Sequence, residues 1–193
     1  MGLVTCYDAY DATQLPPQGT CFLAYQHNLA LVHARFPHAR KVWTITTDAD
    51  PEAYLWYDGI DCESGDASEW TAAQWCENKI RAHLGRPWVY AQLARHGAVV
   101  EELAVRGLRF GVEVDSWMAR WLDSPRPPTA IRTGMDDGYQ WGTGNVAWQY
   151  YRQGRTTYDI SVVDEAWAFP APPAPAPAPH VPNEASGTTL RKT

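Results

Sequence analysis

The sequence predicts an α/β fold, an irregular (β/α) barrel followed by an extended tail. Strands and helices alternate along the chain, which is typical of a parallel sheet covered by helices. No GxGxxG or GxxxxGK[ST] motif occurs in the 193 residues, so nucleotide-binding open sheets lose support. Acidic residues stand at the ends of strands that are far apart in sequence, and only a closed sheet would bring those ends together.

The first half of the chain contains four predicted strands and one short helix. The strands occupy residues 3–8, 21–26, 42–47 and 59–63. The third of them is β-branched, which favours a strand. The helix occupies residues 28–36 and ends before Pro37, which cannot continue it.

A longer helix is predicted directly after the fourth strand. Asp66 is its predicted N-cap, and Glu69, three residues later, completes a capping box. One buried stripe is predicted from apolar residues that recur every four positions: Ala72, Cys76, Ile80 and Leu84. Gly85 ends the helix, and Pro87 follows.

The second half continues the alternation. Residues 88–92 form a fifth predicted strand, and residues 97–105 form a helix closed by Gly107. A sixth strand lies within 112–121, and the last two occupy 145–151 and 158–163. Between them, the segment 123–144 is rich in Pro and Gly and predicts a long loop, which makes the last part of the barrel irregular.

Charge and hydropathy exclude two classes of protein. The formal net charge is −6, and no run of Lys or Arg is longer than the pairs Arg40–Lys41 and Arg191–Lys192, so we expect no nucleic-acid partner. The N-terminus has no basic region followed by an apolar stretch, so no signal peptide is expected. No apolar run approaches 20 residues, so no membrane span is expected either.

Composition divides the chain into a globular body at residues 1–169 and a tail at 170–193. Residues 170–182 alternate Pro and Ala, a pattern that favours an extended polyproline II spacer of roughly 40 Å. The final residues are polar. The tail either tethers the body to a partner or is a frayed end, and the sequence leaves both open.

The four cysteines predict no metal site, because their spacing matches no zinc pattern. Burial as small hydrophobic side chains is the simplest interpretation of Cys6, Cys21, Cys62 and Cys76. Cys62 should point out of its strand toward the helix that carries Cys76, so a disulfide between these two is geometrically conceivable.

The ten Trp and ten Tyr also allow two interpretations. They fill a core, or some of them line a cleft where a sugar ring stacks on an aromatic side chain.

The candidate site starts from Asp61-Cys62-Glu63, which ends the fourth strand. Residues two apart on a strand face the same side, about 6.5–7 Å apart along the backbone. Two neighbouring acids repel each other when both are charged, so one pKa should rise. A protonated acid beside an ionised carboxylate is what glycosidic cleavage requires. Taken alone, the pattern also fits an ordinary solvated strand end.

Two further acids strengthen the case for a site. Asp8 ends the first strand, and Asp159 lies after the last clear strand, 145–151. If the sheet closes into a barrel, the first and last strands are neighbours and all four carboxylates share one mouth. Barrel enzymes keep their chemistry at the C-terminal ends of their strands.

The motifs that carry these acids resemble the family 25 glycoside hydrolases, the muramidase type of lysozyme, in their actinobacterial and actinophage forms. The resemblance covers roughly residues 3–168. Its anchors are VTCYDAY, ARFPHARKVWTI, GIDCESGDAS, WVYAQ, WMARW, AWQYY and YDISVVDEAW. The resemblance implies a TIM-like barrel. This body is shorter than is usual in the family, and residues 170–193 follow it where wall lysins usually carry a wall-binding module.

The resemblance implies roles for eight residues. Four are catalytic (Asp8, Asp61, Glu63 and Asp159), and four bind substrate (Tyr25, Tyr90, Trp117 and Gln149). Glu63 resembles the general acid/base, and Asp61 resembles the partner that stabilises charge, by orienting the 2-acetamido group of the substrate. Asp8 and Asp159 flank this pair, and Gln149 reaches the cleft floor. Two carboxylates suffice for the reaction, so no metal or cofactor is expected.

The implied function is hydrolysis of the β-1,4 bond between N-acetylmuramic acid and N-acetylglucosamine in bacterial cell-wall glycan, as by a phage endolysin. The alternative is a weak or inactive glycan-binding or structural protein of the virion tail, with residues 170–193 docking to a virion partner. A barrel enzyme acting on another polysaccharide also stays open. The expected location is the virion, or the host cytoplasm before release to the wall.

Overall fold

The computed structural model describes residues 2–47, 52–119, 135–136, 139–140, 145–153 and 158–171, with backbone alone at 135–136, 139–140 and 151–153. Most of the predicted loop at 123–144, and the tail from residue 172 onward, lie outside the described residues. The prediction that the chain divides near residue 169 therefore stays a prediction.

Eight strands close into a barrel, which confirms the predicted fold class. They are β1 (Leu3–Asp8), β2 (Cys21–Tyr25), β3 (Lys41–Thr46), β4 (Gly59–Cys62), β5 (Trp88–Gln92), β6 (Asp115–Ala119), β9 (Asn145–Gln153) and β10 (Tyr158–Asp164). Around the barrel they follow the order β1-β10-β9-β6-β5-β4-β3-β2. Two short strands, β7 (Met135–Asp136) and β8 (Tyr139–Gln140), pair antiparallel in a separate sheet.

The direction of the last strand departs from the prediction. The strands β1 to β6 and β9 run parallel, but β10 runs antiparallel to both β9 and β1. The reason is the connection, because only residues 154–157 separate β9 from β10, whereas a parallel crossover needs a dozen or more. The start of β10, rather than its end, therefore lies at the mouth of the barrel.

Three helices lie where the sequence predicts them, with shifted ends: α1 (Leu29–Arg35), α2 (Glu69–Arg81) and α3 (Leu93–Val105). A fourth short helix, α4 (Glu165–Ala168), was not predicted. Single 3-10 turns occupy Ala12–Gln14 and Ala53–Leu55. In the described residues, none of the helices is long and apolar enough to cross a membrane.

The predicted capping box of α2 is wrong. Ser68 is the N-cap, and its hydroxyl accepts a hydrogen bond of 3.1 Å from the backbone N–H of Thr71. The helix ends at Arg81, three residues short of Leu84, so Leu84 is 42 % exposed and does not continue the buried stripe. Asp66 therefore does not cap α2, and its side chain lines the cavity described below.

Alternation along the strands separates an inner core from an outer core. On β5, Trp88 and Tyr90 face into the barrel, whereas Val89 and Ala91 pack in the outer core with α2 and α3. All four cysteines are buried free thiols, as the simplest interpretation predicts. Burial raises the pKa of Cys62 to about 12, so this thiol stays protonated and unreactive at neutral pH.

The end of the barrel where the parallel strands begin is filled by aromatic rings. Trp43, Trp88 and Trp117 meet there, with Trp117 centred 5.7 Å from Trp43 and 5.2 Å from Trp88. The last helix, α4, adds Trp167, which stacks on Trp43 at 5.5 Å and donates from Nε1 to the Asp115 carboxylate at 2.8 Å. This end is closed, and the open cavity lies at the other.

Candidate active site

A cavity of about 550 Å³ opens at the end of the barrel where the parallel strands finish. It is lined by five carboxylates: Asp8, Asp61, Glu63, Asp66 and Asp159. The other lining side chains are Tyr10, Tyr25, Gln26, His27, Thr47 and Tyr90. Among the described residues that line it, none is Lys or Arg, so the cavity is acidic.

The barrel brings together the four acids that the sequence singled out. Asp61 is on the inner face of β4 and is 2 % exposed, and Glu63 follows it, half-buried. Asp8, the last residue of β1, is the direct register partner of Asp159 on β10. Because β10 is antiparallel, its second residue lies at the same height as the last residue of β1.

Asp66 is a fifth acid in the cavity, which sequence reasoning assigned to a helix end. Gly65, at a φ of +99°, turns the chain so that Asp66 returns toward Glu63, whose backbone carbonyl accepts from the Asp66 N–H at 3.2 Å. Carboxylate oxygens of Asp61, Glu63 and Asp66 lie within 4.8 Å of one another. Such a set of oxygens has the donor chemistry that a hard divalent cation prefers.

Burial controls the charge of Asp61. Its pKa is raised well above the ordinary range, first by burial and then by the neighbouring Glu63, Asp66 and Asp8; a hydrogen bond from Tyr25 acts in the opposite direction. That bond joins the Tyr25 hydroxyl to Oδ2 at 3.4 Å, whereas Oδ1 has no hydrogen-bond partner in the described part of the chain. The sequence predicts a raised pKa in one of the paired acids. The raised pKa belongs to Asp61, the acid to which the resemblance gives charge stabilisation and not proton donation.

Tyr25 and Tyr90 stand on the inner faces of β2 and β5 and line the cavity, as the resemblance implies. The pKa of each hydroxyl is raised well above its ordinary value, first by burial and then by Asp8 and other nearby carboxylates. Both groups therefore stay neutral. The Tyr25 hydroxyl donates its hydrogen to Asp61, whereas the Tyr90 hydroxyl can donate to a ligand in the cavity.

Trp117 and Gln149 are not among the described residues that line the cavity. Trp117 is fully buried, and its Nε1 donates to the Ser161 hydroxyl at 3.1 Å. Gln149 faces inward from β9 as the register partner of Ser161, one inward-facing layer below Asp159. Its side chain is 1 % exposed, and neither amide atom has a hydrogen-bond partner among the described residues. Both residues therefore lie beneath the cavity.

Arg95, which sequence reasoning missed, fixes the backbone that carries Glu63. From the first turn of α3 it donates through Nη1 to the Glu63 carbonyl oxygen, and through Nε to Glu69 at 2.7 Å. The contact joins residues 32 apart in sequence, so local patterns give no signal for it. Arg95 thereby links α2, α3 and the end of β4.

The sequence matches no family model and no curated protein. Among solved structures, an uncharacterized protein of B. stearothermophilus is similar, with a TM-score of 0.57 and 16% identity over 84% of this chain and 96% of that chain. The spore cortex lytic enzyme SleM of Clostridium perfringens aligns with a TM-score of 0.49 and 11% identity, over 79% of this chain and 62% of that one. At such identity the first likeness shows the fold alone, and the second is too distant to add to it.

Proposed function

We propose that the protein is a family 25-type glycoside hydrolase that cleaves peptidoglycan between N-acetylmuramic acid and N-acetylglucosamine. The observation that carries the proposal is the acidic cavity, where Asp61 and Glu63 stand side by side, flanked by Asp8 and Asp159. Aromatic and neutral hydroxyl groups on the walls suit a sugar, which offers both apolar faces and hydroxyl groups.

The spacing of the two central acids suits retention of configuration. One carboxylate oxygen of Asp61 and one of Glu63 lie within 4.8 Å of each other, which is compatible with the roughly 5–5.5 Å between the carboxyl groups of retaining enzymes. In a retaining mechanism the first displacement comes from an enzyme group or from the substrate itself.

In the proposed mechanism Glu63 protonates the glycosidic oxygen as its bond to the anomeric carbon breaks. The carbonyl oxygen of the substrate's 2-acetamido group forms the new bond to that carbon, and Asp61 orients the acetamido group by accepting its N–H. Glu63 then takes a proton from water, which attacks the anomeric carbon and releases the acetamido oxygen. Glu63 thus ends the cycle protonated, as it began.

Glu63→Gln tests this mechanism. The amide cannot give or take the proton, so we expect the release of new reducing ends from purified peptidoglycan to fall by about 10²–10⁴-fold. Glu101→Gln, an exposed change on α3, is the matched control and should keep full activity. Thermal melting of both variants checks that they fold. Equal activity of Glu63→Gln and the unchanged protein would remove Glu63 from the mechanism.

A second candidate is a glycan-binding or structural protein of a phage tail, built on the same barrel. It is favoured by the Pro- and Ala-rich composition of residues 170–182, which suits attachment to a partner chain. Peptidoglycan pull-down without release of reducing ends would support it over the hydrolase.

Phage origin, and a location in the virion or in the host cytoplasm before release, are further parts of the proposal that rest on the sequence resemblance. Genetic neighbours test them. An adjacent gene for a pore-forming protein would support a role in lysis, and adjacent tail genes would support a virion component. If neither kind of gene lies nearby, the phage assignment is contradicted.

A further inference from the structure

We propose that Tyr10 and His27 form a platform at the rim of the cavity on which a neutral sugar ring stacks. We call these two side chains the rim platform. The sugar class rests on the proposed function, but the geometry of the platform does not. Neither residue belongs to the eight for which the sequence resemblance implies a role.

Tyr10 is unusually exposed for an aromatic residue beside a cavity. It follows the end of β1, lines the cavity, and is 83 % exposed. Its ring lies 4.5 Å from the ring of His27, centroid to centroid, at 40° between planes. An exposed ring at the mouth of a cavity offers the apolar face that a pyranose needs, without any cost of opening a pocket.

The rings continue inward from the rim toward the acids. His27 stacks on Tyr25, with ring centres 5.9 Å apart and 23° between planes. The hydroxyl of Tyr25 in turn reaches the Asp61 carboxylate at 3.4 Å. Tyr10, His27 and Tyr25 thus form a continuous aromatic path from solvent to the buried carboxyl, which gives a glycan chain a defined direction of entry.

Hydrogen bonds fix the backbone of Tyr10 and the ring of His27, although the Tyr10 side chain is exposed. The backbone carbonyl of Tyr10 accepts from His27 Nε2 at 2.9 Å and from Asn28 Nδ2 at 3.3 Å. The same Asn28 nitrogen donates to the Ala9 carbonyl at 2.8 Å, and Asn28 is buried. The segment after β1 is therefore fixed to the segment after β2, and a ligand loses less free energy to ordering when its site is already ordered.

The charge of the cavity limits the class of sugar that can bind at the rim platform. The described residues that line the cavity include five with carboxyl groups and none with a Lys or Arg side chain. A sugar with a free carboxylate would add a further negative charge to this acidic mouth, whereas an uncharged N-acetylated hexosamine would not. The rim platform should therefore favour N-acetylglucosamine units over sugars with a free carboxylate.

The test is a binding titration with chitotetraose, the neutral tetramer of N-acetylglucosamine, measured by calorimetry in the full-length Glu63→Gln background so that nothing is cleaved. Tyr10→Ala should weaken binding about tenfold, which is the size of an aromatic contact. Tyr10→Phe keeps the ring and should bind within about twofold of the background. Trp56→Ala removes an aromatic that is 76 % exposed but does not line the cavity, and should change nothing.

The outcomes separate the rim platform from the hydrolase. Equal affinities for Tyr10→Ala and Tyr10→Phe, or no binding of chitotetraose by the background protein, overturn the platform even if the unchanged protein cleaves peptidoglycan. Loss of binding in Tyr10→Ala alone supports the platform even if the unchanged protein cleaves nothing, in which case the proposed hydrolase fails and a binding role stands.

Discussion

Replacing Gln149 with Met should make the protein more stable. The Gln149 side chain is 1 % exposed, and its amide oxygen and nitrogen both lack hydrogen-bond partners among the described residues. A buried polar group without a hydrogen-bond partner lowers the free energy of unfolding by about 1–3 kcal/mol, because it loses its hydrogen bonds to water on folding and forms none within the protein. Met has nearly the same length and shape and carries no such group, so the substitution leaves no cavity.

The expected gain is about 2 kcal/mol in the free energy of unfolding, taking the middle of that range. For a chain of 193 residues, this corresponds to a rise in the melting temperature of roughly 4–8 °C. Circular dichroism during heating and urea unfolding measure the two quantities independently.

Two other variants make the Gln149 experiment specific. Gln18→Met changes an exposed glutamine in the same way and should alter stability by less than about 0.5 kcal/mol. Gln149→Glu keeps the shape and adds a buried charge, so it should destabilise the protein. If Gln149→Met melts at the same temperature as the unchanged protein, or lower, the amide must have a partner and the reasoning is refuted.

Two further stability predictions follow from the acidic cavity and from α2. Asp61→Asn should raise stability at pH 7 but not near pH 3, as urea unfolding at both values can measure. Because the folded protein raises the pKa of Asp61, the stability that this residue gives is fully present below the unfolded pKa and is lost as pH rises toward the folded pKa. Asn does not ionise, so it avoids this loss. An equal gain in the free energy of unfolding at both pH values would contradict the prediction. Ser68→Ala removes the cap bond to Thr71 and should cost about 1 kcal/mol, with no loss meaning that the cap does not stabilise α2.

Apolar runs along the chain were enough to predict the elements of the barrel. The predicted bounds of β1 and β5 agree with the structure, because each strand is a short run with clear turn residues or acids at its ends. The antiparallel direction of β10 was not predicted, because an apolar run looks the same in either direction. The short connection at 154–157 held the only local signal.

The acids were predictable where one element sets their geometry. Asp61 and Glu63 share a face because strand residues alternate, whatever surrounds them. The position of Asp66 in the cavity depends on the turn at Gly65. The hydrogen bond from Arg95 to the Glu63 carbonyl depends on how two helices pack. Neither contact follows from a local sequence pattern.

The alternation of residues along a strand does not predict how far along the barrel axis an inward-facing side chain lies. Tyr90 and Trp117 are register partners on adjacent strands and both face inward. The tyrosine reaches the cavity, whereas the tryptophan packs into the rings that fill the closed end. Side-chain direction follows from the sequence, but height along the barrel axis depends on the stagger between strands.

The position of α4 decides how the protein can be attached to something else. The N–H of its first residue, Glu165, bonds to the Gly2 carbonyl at 3.0 Å, and Trp167 packs against the start of β6, so the described chain leaves the barrel on the side away from the acids. A scaffold or fused protein joined directly to residue 171 would be attached at the closed end of the barrel. The acidic cavity would then face away from the attachment and stay accessible to a large, immobile polymer.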